Sequence, residues 1–305
     1  MATITIFGGS GFLGRYVVAA FAKKGHQIKV VSRDPEHAKF LKPLGDVGQI
    51  RTLRANLNDE SAVNDAIVGS DIVINCVGIL AENGFQKFDK IHHLAVERIA
   101  RLSKKNGATK LIHVSAIGAD DDSQSKYAMT KASGESAVIE AFPSATIVRP
   151  SLIIGPEDQF FNRFATLARI MPALPLIGGG MTRFQPVYVG DIAQAILKIS
   201  SQKSSEGKIY ELGGPKVYTF KELMAFTLKA INKKRLLFSI PFPFAYAQGA
   251  ILQILPKPLL TVDQVKLLKR DNIVGRDEFT FADLEITPQA IEPIAEKYLE
   301  RFRCD

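Results

Sequence analysis

The opening fourteen residues set a short strand against a glycine-rich turn, and few folds accept that pairing. Thr3 to Phe7 is a β-branched, apolar run; Phe7-Gly-Gly-Ser-Gly-Phe-Leu-Gly14 follows it, and Phe12 to Lys24 then reads as a helix. Gly9, Gly11 and Gly14 satisfy G-x-G-x-x-G, while Gly8, Gly11 and Gly14 satisfy G-x-x-G-x-x-G. In such a turn the first glycine permits a tight exit from the strand. A later one lets backbone approach a pyrophosphate, and the last allows close packing of helix on strand. Unpaired N–H groups and the positive end of the helix dipole then favour an anion. Because the glycines follow a strand and open a helix, the spacing is informative. It predicts a nucleotide held on Gly8, Gly9, Ser10, Gly11, Phe12, Leu13 and Gly14.

The alternation continues through the first half of the chain. Strands are expected at 28–32, 50–53, 71–76, 110–115 and 145–149, with helices near 35–41, 60–67, 88–105 and 126–141. That order predicts an α/β fold, a Rossmann-type doubly wound parallel sheet with a smaller, mostly helical C-terminal region. The expected division is a nucleotide-binding core over 1–150, a mixed segment over 151–217 that returns to the sheet, and a helical docking region over 218–305. In the middle segment, 160–170 reads as a helix, Met171 to Met181 as a Pro/Gly-rich stretch, and 186–189 and 208–212 as strands rejoining the sheet. An apolar fraction of 46% supplies enough material for a core of that size.

Two further features bear on chemistry. About twenty residues past the glycines, where a carboxylate would bind the ribose hydroxyls of NAD, stand Ser32 and Arg33. A guanidinium there pairs with a 2′-phosphate, which predicts NADP(H). Asp34, next in sequence, pulls against that reading. Ser115 ends the fifth strand, and Tyr127 and Lys131 are spaced i, i+4 on one helix face. A lysine ammonium beside a phenol lowers its pKa and can hold the nicotinamide ribose. The phenol then exchanges a proton with a substrate oxygen that Ser115 positions, which makes Ser115, Tyr127 and Lys131 the candidate catalytic residues.

The glycine turn, Asn75-Cys-Val-Gly78, Ser115, Tyr127-x-x-x-Lys131, and Arg149-Pro150 followed by Gly155-Pro156 resemble the extended or atypical short-chain dehydrogenase/reductase superfamily. Over nearly its whole length the chain is similar to the family of 39-kDa accessory subunits of respiratory complex I (NADH:ubiquinone oxidoreductase). The matching segments are 113–118, 125–135, Ile154-Gly-Pro-Glu-Asp-Gln-Phe-Phe-Asn-Arg-Phe164, Gln185-Pro-Val-Tyr-Val-Gly-Asp191 and Pro241-Phe-Pro-Phe-Ala-Tyr246. The resemblance adds Asn56, Leu57, Val77, Gly78 and Pro150 to the candidate cofactor contacts, together with Ser115, Tyr127 and Lys131. It implies a tightly held NADPH outside the electron-transfer chain, docking on complex I subunits near the ubiquinone site, and a role in assembly; the Ser115, Tyr127 and Lys131 triad, vestigial or active, keeps catalysis open. Two other readings use the same residues: a stand-alone NADPH-dependent reductase or epimerase, and a sensor of nucleotide state that regulates a partner without chemistry.

A net charge of +8, scattered apart from Lys104-Lys105 and Lys233-Lys234-Arg235, reads as a solvated surface with phosphate sites, or as attraction to an anionic membrane or acidic partner. No nucleic-acid motif accompanies it. The two cysteines, Cys76 and Cys304, suggest a reducing compartment, with Cys76 as a small buried hydrophobe. The five histidines lack ligand spacing, so no metal is expected. The first strand begins almost at Met1, with no presequence pattern ahead of it. The address this suggests is a bacterial inner membrane, peripheral on the cytoplasmic side, or the mitochondrial matrix side if a presequence has been removed. Leu236 to Leu255, framed by Lys233-Lys234-Arg235 and Lys257, carries no charge but is broken by Pro241 and Pro243. It is too interrupted to span a bilayer, and reads either as core packing or as a surface meeting lipid or a partner subunit.

Overall fold

The computed structural model describes residues 1–255 and 258–303, so Lys257 and Cys304 lie outside the described residues. The chain divides into two compact units, one formed by Met1–Arg149, Gly190–Glu211 and Asp277–Ile286, the other by the remainder.

The first unit is built on β1 (Thr3–Phe7), α1 (Phe12–Ala22), β2 (Gln27–Ser32), β3 (Ile50–Arg54), α2 (Glu60–Ile67), β4 (Ile72–Asn75), α3 (Ala95–Lys105), β5 (Lys110–Val114), α4 (Lys126–Ala141) and β6 (Thr146–Pro150). The strands lie in the order β3-β2-β1-β4-β5-β6, all parallel, and β11 (Ile209–Leu212) extends the sheet beside β6. The order reverses between β1 and β4. In open α/β sheets ligands lie in the crevice outside the carboxyl ends of the strands at that switch point.

These residues form these elements for local reasons. β1 and β4 are apolar runs buried on both faces, as a covered parallel sheet requires. Thr5, the fully buried threonine of β1, bonds to the Ala66 carbonyl (3.0 Å) and to Ser70 (2.6 Å). Asp59 caps α2 through the Ala62 N–H and Ser125 caps α4 through the Ala128 N–H. Arg149 on β6 grips Glu135 of α4 with two nitrogens (3.0 and 2.6 Å) and approaches Glu211 of β11 (3.4 Å). Two almost fully buried carboxylates thus share one guanidinium. Removing that cation would strand both charges.

Two helices differ from expectation. The 88–105 stretch is a π-helical turn, Asp89–Leu94, running into α3. Near 35–41 the chain forms a 3-10 helix over His37–Leu44, with Pro43 inside it and Gly45 at its end.

The second unit pairs strands two at a time: β7 (Ile153–Ile154) with β10 (Val187–Tyr188), β8 (Ala173–Ile177) with β13 (Leu236–Ile240), and β9 (Arg183–Phe184) with β12 (Tyr218–Thr219). Its helices are α5 (Phe161–Ile170), α7 (Phe220–Ala230), α8 (Phe242–Leu252), α9 (Val262–Leu267) and α10 (Ile291–Leu299). Helix α6 (Val189–Ser201) belongs to the first unit from Gly190 onward. Phe161, Leu174, Leu223, Met224 and Leu299 anchor the second unit's core, and the Tyr298 hydroxyl donates to Asp158, pinning α10 to the start of α5.

Here the expectations need correction. The Pro/Gly-rich stretch 171–181 contains β8. Its Pro175 is tolerated because a two-stranded sheet leaves half of each strand's N–H groups without a ladder partner. The 186–189 segment pairs with β7 and does not rejoin the large sheet, whereas 208–212 does as β11. The apolar 236–255 segment is a strand followed by a helix that starts at Phe242 with Pro243 in its first turn. Ala245 and Gly249 of α8 are buried, while Leu236, Phe244, Ile251 and Ile254 are exposed. No helix among the described residues is long and apolar enough to cross a membrane.

Candidate functional site

The glycine turn leaves β1 through Gly8 at φ +74°, a conformation that L side chains rarely adopt. A Cβ on Gly8 would lie 3.1 Å from the backbone of Cys76 and Val77, so the turn after β1 rests directly on the chain leaving β4. A Cβ on Gly14 would come within 2.2 Å of the Gly8 oxygen. This is the close helix–strand approach that the spacing predicted. The Gly11 N–H bonds Gly8 O and the Arg15 N–H bonds Gly11 O. No side chain caps α1 and no acidic residue occupies its first turn. The amides of Phe12, Leu13 and Gly14 therefore open onto the switch point, ready for an anion. Ser10 stands between, its hydroxyl 3.5 Å from that of Ser32.

At the end of β2 the Ser32 hydroxyl is tied into a local turn with the Asp34 backbone. The Asp34 carboxylate accepts from the His37 N–H at 3.1 Å, which starts the 3-10 helix. Arg33 is exposed and has no ion pair among the described residues. Arg54, missed at the sequence level, stands opposite Ser32 in the β2–β3 register and is also exposed. Two exposed arginines therefore stand near the carboxyl ends of β2 and β3. Beyond β3, Asn56 is exposed and accepts from the Asn58 N–H, while Leu57 is half-buried with its carbonyl held by Arg98 at 2.6 Å.

The opposite end of the site lies between β5 and α4. Ser115 is 4% exposed, and its Oγ finds no hydrogen-bond partner. An orphaned buried hydroxyl of this kind marks a place prepared for another group. Lys131 is buried and donates to the Val114 carbonyl at 3.2 Å, which brings its ammonium to the end of β5 beside Ser115. Burial pulls the Lys131 pKa down to about 8, opposed by Glu135 and Cys76. The Tyr127 phenol is pushed up to about 12 by burial, so the expected lowering by Lys131 does not occur. Sharing a helix face did not decide where the ammonium points: it turns toward the β5 carbonyl.

Around Lys131 stand groups that the sequence reading passed over. His92, 1% exposed, comes from the π-helical turn, and its Nε2 accepts from the Ile79 N–H at 3.1 Å. His113 on β5 faces Asn75 at 3.2 Å through Nδ1, and its buried Nε2 lacks a partner. The Asn75 amide oxygen in turn accepts from the Val77 N–H at 3.1 Å. Cys76 is half-buried rather than buried, with its thiol pushed up to about 12 by desolvation. Val77 is half-buried and Gly78 exposed, at the mouth of the site. Pro150, buried at the end of β6, falls in the second unit.

A model of the NAD dependent epimerase/dehydratase family matches residues 4–213. NADH dehydrogenase [ubiquinone] 1 alpha subcomplex subunit 9 of Arabidopsis thaliana, a mitochondrial protein, is 36% identical over 98% of this chain and 77% of its own length. The chain belongs to the epimerase/dehydratase family, among the relatives of the complex I alpha subcomplex subunit 9 proteins. The mitochondrial NADH-ubiquinone oxidoreductase 40 kDa subunit of Neurospora crassa is 30% identical over 99% of the chain and 80% of its own length. The NADPH-dependent quinone oxidoreductase of Escherichia coli, solved with NADPH, shares the fold at TM-score 0.73 and 20% identity, covering 96% of this chain and 99% of its own.

Seen as an epimerase/dehydratase site, the geometry fits a dinucleotide along its length. The turn has no room for side chains at Gly8 and Gly14, no side chain caps the amides that open α1, and the Ser115 hydroxyl at the end of β5 is unpaired. The signal for Arg54 was its register with Ser32, which a strand-pairing argument could have found.

Proposed function

We propose that this chain is an NADP(H)-holding accessory subunit of respiratory complex I, with a structural and assembly role outside the electron-transfer chain. The observation that carries the proposal is kinship with the alpha subcomplex subunit 9 proteins along 98% of the chain. Gly8 to Gly14 would hold the pyrophosphate, Arg33 and Arg54 the 2′-phosphate, and Asn56 and Leu57 the adenosine side. Val77, Gly78, Tyr127 and Lys131 would hold the nicotinamide ribose, and Pro150 closes the set. When bound, NADPH supplies a hydride donor.

The proposed partners are complex I subunits near the ubiquinone site, reached through the exposed apolar residues of β13 and α8 and the neighbouring Lys233 and Lys234, which suit a partner surface or lipid headgroups. The chain would sit peripherally, on the cytoplasmic face of a bacterial inner membrane or the matrix face of a mitochondrial one. Purification from native membranes in mild detergent is expected to bring down complex I subunits in fixed proportion with NADPH retained. A solitary protein that exchanges NADPH rapidly and reduces a carbonyl panel would instead establish the reductase reading, which the orphaned Ser115 hydroxyl and the Lys131 ammonium favour.

Reversing the charge at Arg33 tests the cofactor. Arg33→Glu is expected to weaken NADPH binding about a hundredfold while leaving NADH within a few-fold, since a charge-assisted phosphate contact contributes about 1.5–3 kcal/mol and reversal adds repulsion. Titrating both cofactors by calorimetry decides it, and equal losses for both would remove the 2′-phosphate assignment.

A further inference from the structure

The turn over Asp89–Leu94 is π-helical where the sequence favours a plain α-helix, and turns of that kind often serve a local purpose. Helix α4 crosses it at Gly134. A Cβ there would lie 1.9 Å from the His92 carbonyl oxygen, so glycine is the residue that lets the two elements touch. Glycine is a poor residue inside a helix, and this contact is what it makes room for.

The close approach delivers the His92 side chain into the site. Its ring stacks on Phe88 (centroids 5.3 Å apart, 24°) and meets Tyr127 edge-to-face (5.2 Å, 89°). Nε2 accepts from the Ile79 N–H. Nδ1 lies 3.2 Å from the Thr130 hydroxyl, which spends its own hydrogen on the Lys126 carbonyl at 2.8 Å. The Thr130 oxygen must therefore accept, and the imidazole carries its single proton on Nδ1. A Cβ built on Gly78 would be 3.8 Å from His92 Nε2 and 3.5 Å from Lys131 Nζ. The loop after β4, the tyrosine and the lysine thus meet around one ring. Protonating that ring would put a second hydrogen against the Ile79 N–H and a second cation beside Lys131.

We infer that His92 is the positioning residue of the nicotinamide end, a neutral imidazole that ties Gly78-Ile79 to α4 and fixes the Tyr127 ring. The inference rests on the NADP(H) reading and adds to it a residue outside the Ser115, Tyr127 and Lys131 set. Among the described residues the hydrogen-bond and ring partners of His92 are Ile79, Thr130, Phe88 and Tyr127, none of them at Arg33 or Asn56, where the adenosine end would lie.

That separation supplies the test. Affinities for NADPH and for 2′,5′-ADP, which lacks the nicotinamide half, are measured on the full chain as wild type, His92→Phe, His92→Gln and Thr130→Val. Phenylalanine keeps the ring and loses both hydrogen bonds, so NADPH is expected to weaken about tenfold while 2′,5′-ADP is unchanged. Glutamine, which can again accept from the Ile79 N–H, is expected to recover part of the loss. Thr130→Val, which removes the Nδ1 partner together with that hydroxyl's bonds to backbone carbonyls of its own helix and leaves the imidazole in place, gives a smaller loss confined to NADPH and carries the test if His92→Phe does not fold. Equal weakening of both ligands, or no change in either, overturns the positioning role. A wild-type chain that binds neither ligand removes the NADP(H) reading itself, an outcome distinct from a wild type that binds both and variants that do not discriminate.

Discussion

Alanine at position 14 is expected to abolish nucleotide retention and to destabilise the fold by roughly 3 kcal/mol or more. The three atoms nearest its Cβ would be Gly8 O at 2.2 Å, Gly9 Cα at 2.6 Å and Gly8 C at 2.9 Å. All three are backbone, so no rotamer change relieves the overlap, and either the exit from β1 or the start of α1 must move. The amides of Phe12 to Gly14 move with it, which removes the anion site. Gly11→Ala provides the contrast. Its φ of −75° suits any residue, and its Cβ would meet only Gly8 O at 3.1 Å. It should therefore leave stability within about 1 kcal/mol while crowding the approach of a phosphate. Denaturant unfolding of both variants beside NADPH titration separates the two effects. Wild-type unfolding and wild-type binding in Gly14→Ala would refute the packing role.

The parts of the fold that the sequence revealed are those set by local chemistry. Helices at Glu60–Ile67 and Lys126–Ala141 have the expected bounds because Asp59 and Ser125 cap them. The parallel strands show as β-branched runs because both of their faces are covered. What escaped depends on partners far along the chain. β8 hides in a Pro/Gly-rich stretch, since its strand character comes from pairing Ala173–Ile177 with Leu236–Ile240. Arg54 gains its place from a register with Ser32. The π-helical turn has no periodic signature, and Gly134 acquires meaning only once His92 lies beneath it. The i, i+4 spacing of Tyr127 and Lys131 set a shared face correctly. It could not show that burial would dominate the phenol, nor that the ammonium would bond Val114 O.

The same buried histidines should make the fold acid-sensitive well above the carboxylate range. Burial, aided by Lys131, pulls His92 down to about 3 and holds His113 well below its ordinary 6.5. Folded chains keep both rings neutral while unfolded chains protonate them near pH 6.5. The unfolded state therefore binds more protons below that point, and stability falls as the pH falls toward the folded values. Each such histidine contributes a slope approaching about 1.4 kcal/mol per pH unit below its unfolded pKa, so stability should fall steadily between pH 7 and pH 5. Other groups leave this window largely alone. Glu60, Asp271 and Glu285, held low by Arg101, Arg183 and Lys198, lose their stabilising effect only below about pH 4.5. Lys131 acts above about 8. His26, more exposed, adds a smaller loss in the same direction, and Asp158, raised by burial, works against it. Urea unfolding of the nucleotide-free chain at half-unit steps from pH 7.5 to 5 measures the slope. In the double variant His92→Phe, His113→Leu, absolute stability shifts but the slope should flatten to the remainder left by His26 and Asp158. A double variant that keeps the wild-type slope would mean that both imidazoles already titrate in the folded chain, and the neutral ring on which the Ile79 and Thr130 contacts depend would be lost with it.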